Sequence, residues 1–308
     1  MPSTLLTIIA SIFAVVTMFL FAVEKFSGQI QSLIGEKFKS LIGKYTDTPI
    51  KGVLVGTVIT SILQSSAAVC VLLVSLVESG LIPFTNSLGI IIGANIGTAI
   101  TSQLVALNLL NIAPFILIAG FILMKTEHRY QHLGKPVFYF GLIFSCLFII
   151  SAMTSTFVQN GFILSIIGHT SNLFFAILAG FIVSTMLQSS SITTGIIVIM
   201  ASQGILNFDQ AFGIILGANI GTTTTALLAS LVTGKQGKRV AIAHFVFNFS
   251  GVLMFLPFVH LFSRFINSLP IDIAWQVASG HLIFNVIIAI VFLIFFNQYN
   301  RLIHKIVA

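Results

Sequence analysis

The sequence predicts an all-α polytopic membrane protein made of two inverted-topology repeats, each carrying a re-entrant helical hairpin with a Gln-Ser-Ser motif. Three observations lead there. Hydrophobic residues make up 57% of the 308-residue chain and charged ones 7%, against roughly 25% charged residues in an ordinary soluble domain. The stretch Gly56 to Leu107 recurs without a gap as Gly180 to Leu231, an offset of 124 residues (188 − 64, 217 − 93). Both copies interrupt apolar sequence with the same two polar islands: Gln64-Ser65-Ser66 returns as Gln188-Ser189-Ser190, and Gly93-Ala94-Asn95-Ile96-Gly97-Thr98 as Gly217-Ala218-Asn219-Ile220-Gly221-Thr222. Such duplication is the pattern of secondary transporters whose substrate site lies where two repeats meet.

Apolar segments fall at about 3–23, 52–78, 83–107, 110–124, 136–153, 176–203, 207–232, 239–262 and 270–297. The first has no basic residues before it and no small-residue cleavage site after it, so it reads as a retained helix and not a signal peptide. Between the first two, Phe26, Ile30, Leu33, Ile34, Phe38, Leu41 and Ile42 keep helical spacing while Lys25, Glu36, Lys37, Lys39 and Lys44 take the other positions. That is the pattern of an amphipathic helix in the membrane interface. Long apolar runs replace the ten-residue alternating segments of an outer-membrane barrel.

The basic residues set the orientation. None occurs from Gly52 to Met124, from Pro136 to Gly234, or from Phe265 to Asn300. The clusters Lys25–Lys51, Lys125–Lys135, Lys235–Arg239 and Arg301–Lys305 are expected in the cytoplasm. Shifted by 124, the first cluster falls on residues 149–175 and the third falls back on 111–115, and neither target holds a Lys or Arg. The halves are therefore oppositely oriented. Cytoplasmic clusters on both sides of 52–124 require an even number of crossings, yet three apolar segments lie there. Splitting 52–78 at Gln64-Ser65-Ser66 gives two arms of about 13 residues, roughly 20 Å each, past the midplane of a roughly 30 Å core. By the same logic 176–203 is a second hairpin entering from outside. The assignment of 83–107 and 207–232 as the non-crossing elements meets the same parity. The chain divides as 1–124, first inverted repeat (helix, interfacial helix, hairpin, two helices); 125–262, second inverted repeat; and 263–308, an extra C-terminal transmembrane helix.

A break at a hairpin tip frees backbone groups that hydrocarbon cannot satisfy. A Ser at the start of the second arm, Ser66 or Ser190, can cap it and leave N–H groups aimed at whatever occupies the tip. Each helix start presents about +0.5 of a charge, so two opposed tips form an anion site. No basic side chain is nearby, so a dianion needs co-bound cations. The candidate substrate residues are Gln64, Ser65, Ser66, Asn95, Gln188, Ser189, Ser190, Ser191 and Asn219; neutral oxygens for a cation such as Na+ come from Gln64, Ser65, Thr98, Thr101, Gln188, Ser189, Thr222 and Thr225. Against this stand ordinary roles: hydroxyls bonded back to their own helix, and glycines at four-residue spacing serving close helix packing. His244 with Asn248, and His281 with Asn285, share the spacing His-x-x-Phe-Asn and can bond across to other helices, as structural pairs, a gate or support for the site.

The two Gln-Ser-Ser and two Gly-Ala-Asn-Ile-Gly-Thr segments, followed by Ala243-His244-Phe245-Val246-Phe247-Asn248, resemble the type II sodium-dependent phosphate cotransporters and their bacterial relatives over nearly the whole chain. The resemblance implies coupled Na+ and inorganic phosphate transport by alternating access, with both Gln-Ser-Ser segments lining the path. Ala67 and Ala99 stand where the second copy has Ser191 and Thr223, so the first half is poorer in hydroxyls. Many bacterial relatives carry a further soluble helical domain; the sequence ends at Ala308, and a chain without that domain is expected. A Na+-coupled carrier of sulfate or a dicarboxylate, and an anion channel of the same architecture, are the alternatives. An intramembrane hydrolase using Ser66 or Ser190 with His244 would lack a Gly-x-Ser-x-Gly turn, so no enzyme is expected. Nor is any cofactor beyond Na+ as coupling ion. The net charge of +7 lies in short flanks rather than on one face, which speaks for the lipid bilayer and against nucleic acid. The partners expected are phosphate, Na+, lipid and, as an assembly, a homodimer. The expected location is the bacterial inner membrane, multi-pass, with the N-terminus outside and the C-terminus cytoplasmic. Cys70 and Cys146 sit in apolar segments and are expected to be unpaired.

Overall fold

The computed structural model describes residues 2–44, 46–107, 109–126, 131–157 and 168–308, and every regular element among them is helical. In chain order they are α1 (Pro2–Lys44), α2 (Pro49–Leu63), α3 (Ser66–Glu78), α4 (Phe84–Ala106), α5 (Ala113–Lys125), α6 (Gln131–Phe157), α7 (Leu173–Leu187), α8 (Ser190–Ser202), α9 (Phe208–Gly221), α10 (Thr223–Ser230), α11 (Lys235–Phe255), α12 (Val259–Asn267), α13 (Ile273–Ile294) and α14 (Phe296–Ile306). Six stretches are long and apolar enough to cross a membrane: Phe13–Leu33, Phe84–Ala106, Gln131–Met153, Phe208–Ser230, Lys235–Asn267 and Ile273–Ile294. The helices that flank the Gln-Ser-Ser islands are not among them.

The repeat is visible in the elements themselves. α2 and α7, and α3 and α8, have bounds 124 residues apart, and α4 corresponds to α9 and α10 together. α2 lies along α4 and α7 along α9 through matched glycines. A Cβ on Gly93 would strike the carbonyl oxygen of Val53, and one on Gly217 that of Ile177, each pair again shifted by 124. Gly97 meets Thr57, Thr60 and Ser61 as Gly221 meets Phe181, Ser184 and Thr185. The contacts advance in the same sense along both partners, so α2 and α4 run parallel, as do α7 and α9. α3 and α8 therefore bring the chain back toward the end from which α2 and α7 set out.

The N-terminal region departs from expectation. The first apolar segment and the amphipathic stretch were expected as separate helices, but they form one, α1, 43 residues long and about 65 Å at 1.5 Å per residue. The sequence changes from apolar to amphipathic without any proline, so nothing interrupts the hydrogen-bond ladder. Within it Phe13–Leu33 qualifies as a candidate span among the residues whose side chains are described. Phe19, Ala22, Phe26 and Ser27 are buried, with Phe26 against Phe140 of α6. The side chains of residues 34–44 lie outside the described set. α5 pairs with α6 in antiparallel fashion: Gly120 abuts Val137 and Phe138, Gly141 abuts Ile116 and Leu117, and Gly134 abuts Met124. The position 262/263 proposed as a boundary lies inside α12. Cys70 and Cys146 are buried and unpaired.

Two acidic residues at helix ends have structural roles. Glu78, at the end of α3, accepts a 2.7 Å hydrogen bond from the Gly237 N–H in the first turn of α11, where the helix dipole favours a carboxylate. Asp209, in the first turn of α9, accepts from the Ser263 hydroxyl of α12.

Candidate functional site

Among the described residues only two other than glycine adopt positive φ: Gln64 at +54° and Gln188 at +49°. An L-residue pays roughly 1–2 kcal/mol for this left-handed backbone. Both glutamines end a helix there, α2 and α7, and each is followed by an extended serine that starts the next helix. The caps are Ser65 and Ser189, whose side chains accept from the Ala68 N–H at 3.2 Å and the Ile192 N–H at 3.4 Å. The expectation of Ser66 and Ser190 as caps is thus corrected by one residue. A left-handed glutamine turns the chain a residue earlier than a serine cap alone would, placing Ser66 and Ser190 at the first helical position.

The two islands come together. Thr101 of α4 donates to Gln64 Oε1 at 2.8 Å and lies 3.5 Å from Ser191 Oγ of α8, so one hydroxyl touches both copies. Gln64 is buried, and its Nε2 donates to the Ser61 carbonyl. Phe19, Phe140, Phe144 and Leu147 cover this triad around a cavity of only about 10 Å³, room for no more than one water. A larger cavity, about 480 Å³, is lined by Ser65, Ala68, Gln188, Ser189 and Ile192 together with Val23, Glu24, Ser27 and Gln31 of α1. Among the described residues no Lys or Arg lines it. Gln188, unlike Gln64, is exposed. The halves therefore differ in state: the first glutamine is sealed, the second opens on the cavity.

Glu24 was missed at the sequence level because the first span was placed at 3–23, which put it just past the end. α1 continues unbroken past Glu24, which lines the cavity. Its carboxylate is 3.7 Å from Lys25 Nζ, which also lies over the Phe21 ring. Continued apolar and aromatic spacing beyond Lys25, through Phe26 and Ile30, was the available signal.

The hydroxyls around the islands sort into two groups. Of the predicted donors Thr98 bonds back to its own helix at the Ala94 carbonyl, and the neighbouring Thr223 and Thr224 donate to the Ile220 and Gly221 carbonyls at the end of α9. Asn95 Nδ2 is engaged with the Ile91 carbonyl. By contrast the buried hydroxyls of Thr60, Ser184, Ser190, Thr194, Thr222 and Thr225 have no hydrogen-bond partner among the described residues. Five of these six belong to the second repeat, and the repeat relates Thr60 to Ser184. An unpartnered buried hydroxyl costs about 1–3 kcal/mol, and each is the kind of neutral oxygen that a hard cation takes as a ligand.

The histidines behave unequally. His281 Nδ1 meets Ser102 Oγ of α4 at 2.8 Å, and its Nε2 meets Asn219 Oδ1 of α9 at 3.3 Å. Asn219 Nδ2 donates to Asn285 Oδ1 at 3.5 Å, and Asn285 Nδ2 donates to the His281 carbonyl at 2.9 Å. Asn219 was expected at the substrate; the structure engages both ends of its amide in this network. Asn248 Nδ2 donates to the His244 carbonyl in the same way, but neither ring nitrogen of buried His244 has a partner among the described residues. No group of three or more His, Cys, Asp or Glu suited to a transition metal occurs among the described residues.

The sequence model described as Na+/Pi-cotransporter matches the chain twice, over residues 18–152 and 150–306. A Bacillus subtilis (strain 168) protein named "Uncharacterized protein YqeW" is 31% identical over 274 residues, 88% of this chain and 89% of that one. The Escherichia coli (strain K12) "Putative inorganic phosphate export protein YjbB" is 26% identical over 248 residues, 80% of this chain and 46% of that protein. The Rattus norvegicus "Sodium-dependent phosphate transport protein 2A" is 29% identical over 164 residues, 46% of this chain and 26% of that protein. The chain thus aligns with less than half the length of the latter two. No solved structure matches it.

Proposed function

We propose, since this chain belongs to the Na+/Pi-cotransporter family, that it is a sodium-coupled carrier of inorganic phosphate working by alternating access between two inverted repeats. The observation that carries this is the meeting of both Gln-Ser-Ser islands: Thr101 touches Gln64 and Ser191, and Ser65, Gln188 and Ser189 line one 480 Å³ cavity. In this reading α2–α3 and α7–α8 are re-entrant hairpins, an arrangement supported by the parallel pairing of α2 with α4 and α7 with α9. Phosphate is held by Ser hydroxyls and by the starts of α3 and α8, which contribute about +1 together. With no basic residue among the described ones lining the cavity, two Na+ ions raise the local total to roughly +3 against −2. The hydroxyls of Ser190, Thr194, Thr222 and Thr225, without partners among the described residues, are the first candidates for Na+ ligands, joined by Gln188.

The proposed topology has seven crossings, the six long helices and Leu109–Lys125, which runs beside α6. Seven crossings from an external N-terminus leave the C-terminus cytoplasmic. Both transport directions are open to a coupled carrier, and a relative named for phosphate export is consistent with net efflux under some gradients. The test is labelled phosphate flux in proteoliposomes holding the purified chain. Uptake driven by an inward Na+ gradient, unaffected by excess sulfate or succinate, is expected. Flux that ignores Na+, or that sulfate or succinate suppresses, contradicts the proposal.

A further inference from the structure

The network around His281 has a direction that its atoms dictate. A backbone carbonyl only accepts, so the Asn285 amide must turn its nitrogen to the His281 carbonyl and its oxygen to Asn219. Asn219 must then present its nitrogen to Asn285 and its oxygen to the imidazole. Nε2 is therefore the protonated ring nitrogen, Nδ1 the acceptor, and the Ser102 hydroxyl the donor at 2.8 Å. One side chain of α13 thereby joins α4 of the first repeat to α9 of the second, all at buried positions. Ser102 directly follows Thr101, whose hydroxyl reaches Gln64 of the first Gln-Ser-Ser island and Ser191, the residue just after the second.

The arrangement is single-sided. α13 packs on α4, α8 and α9, and α11 packs on α10, α3 and α4, so the two helices exchange places when the repeats are exchanged. Yet 124 residues after Ser102 stands Ala226, which has no hydroxyl to give, and His244 on α11 has no ring partner among the described residues.

We infer that His281 is a positioning residue: by binding Ser102 and Asn219 at once it locks α4 to α9 and thereby sets the Thr101 hydroxyl against Gln64 and Ser191. This rests on the proposal of Na+-coupled phosphate transport. It assigns Asn219 to the lock between repeats and not to the substrate. Ser191 of this triad directly follows Ser190, one of the proposed Na+ ligands, so loss of the lock should appear as weaker Na+ dependence of transport through Thr101, beyond any general loss of stability.

The experiment uses the full chain in proteoliposomes, with His281→Phe, Ser102→Ala, Thr101→Val and their double variants. The Na+ concentration for half-maximal phosphate uptake is measured together with maximal rate. His281→Phe and Ser102→Ala should each raise half-saturation by Na+ about tenfold, the equivalent of one buried hydrogen bond, with the pair together no worse than His281→Phe alone. In the Thr101→Val background, His281→Phe should add nothing. Unchanged half-saturation in Ser102→Ala, or independent additive shifts from Thr101→Val and His281→Phe, overturns the assignment; Ser102→Ala decides the matter if His281→Phe fails to fold. A wild-type chain without Na+-stimulated uptake defeats the transport proposal instead. The lock is then judged by thermal unfolding of Ser102→Ala, Asn219→Ala and the double variant: non-additive midpoints support it, and additive ones reject it.

Discussion

Gln64 and Gln188 hold a backbone conformation that glycine adopts without strain, so their side chains must offset a cost that evolution could have avoided with glycine. Gln188→Gly should therefore stabilise the fold by about 1 kcal/mol and yet abolish Na+-coupled phosphate flux. A glycine variant that transports normally would show that the amide is dispensable. The serines separate into two roles. Ser65→Ala and Ser189→Ala remove helix caps and should cost about 1 kcal/mol of thermal stability each, whereas Ser190→Ala removes a hydroxyl with no partner among the described residues and should leave stability intact while weakening phosphate or Na+ binding. Equal stability losses for Ser189→Ala and Ser190→Ala, read by thermal unfolding, would contradict that division. Glu24 places a negative charge in the wall of the anion's cavity. Glu24→Gln should accordingly strengthen phosphate binding at low Na+ and flatten its dependence on Na+, as measured by equilibrium binding; weaker phosphate binding at low Na+ would contradict it.

At the scale of elements, the matched glycine contacts hold α2 against α4 and α7 against α9, and they explain why the Gly-Ala-Asn-Ile-Gly-Thr island is duplicated even where its asparagines differ in role. Gly93→Ala or Gly217→Ala drives a methyl into a carbonyl of the neighbouring helix and should cost about 1–3 kcal/mol, with reduced yield of folded protein. Gly195→Ala, whose nearest neighbour is Leu147 at 3.6 Å, should be neutral; similar losses at all three sites in a thermal-stability assay would refute the packing account. The positions of these islands were legible from the repeat alone, and so were the breaks at Gln64 and Gln188. The continuity of α1 was not. A shift from uniform to one-sided hydrophobicity marks a change in surroundings, and it looks the same whether or not the chain turns. The lock at His281 was only half legible, since the His-x-x-Phe-Asn spacing revealed a bonded pair on one helix while its partners Asn219 and Ser102 lie 62 and 179 residues away. Which hydroxyls lack partners was also beyond reach, because Thr223 and Thr222 are equivalent in sequence but only the first donates to a carbonyl at the end of α9.

For the whole molecule, the proposed mechanism turns on a deficit of positive charge where the proposed dianion would sit. The chain carries a net charge of +7, but its basic residues flank the apolar segments, and none among the described residues lines the cavity shared by Ser65, Gln188 and Ser189. Two helix starts supply about +1, and the remainder has to arrive with the cargo. In the proposed site bound cations are then the largest local charges, which makes coupling a consequence of electrostatics: with the two helix starts, phosphate without Na+ leaves about −1, two Na+ without phosphate leave about +3, and both together leave about +1. The most direct measurement is calorimetric titration of the purified full chain with phosphate at low and at saturating Na+, with choline keeping ionic strength constant. The account predicts phosphate affinity that rises steeply with Na+, by at least about tenfold for each 1.4 kcal/mol of cation–anion coupling. Equal phosphate affinity at both Na+ concentrations would contradict it.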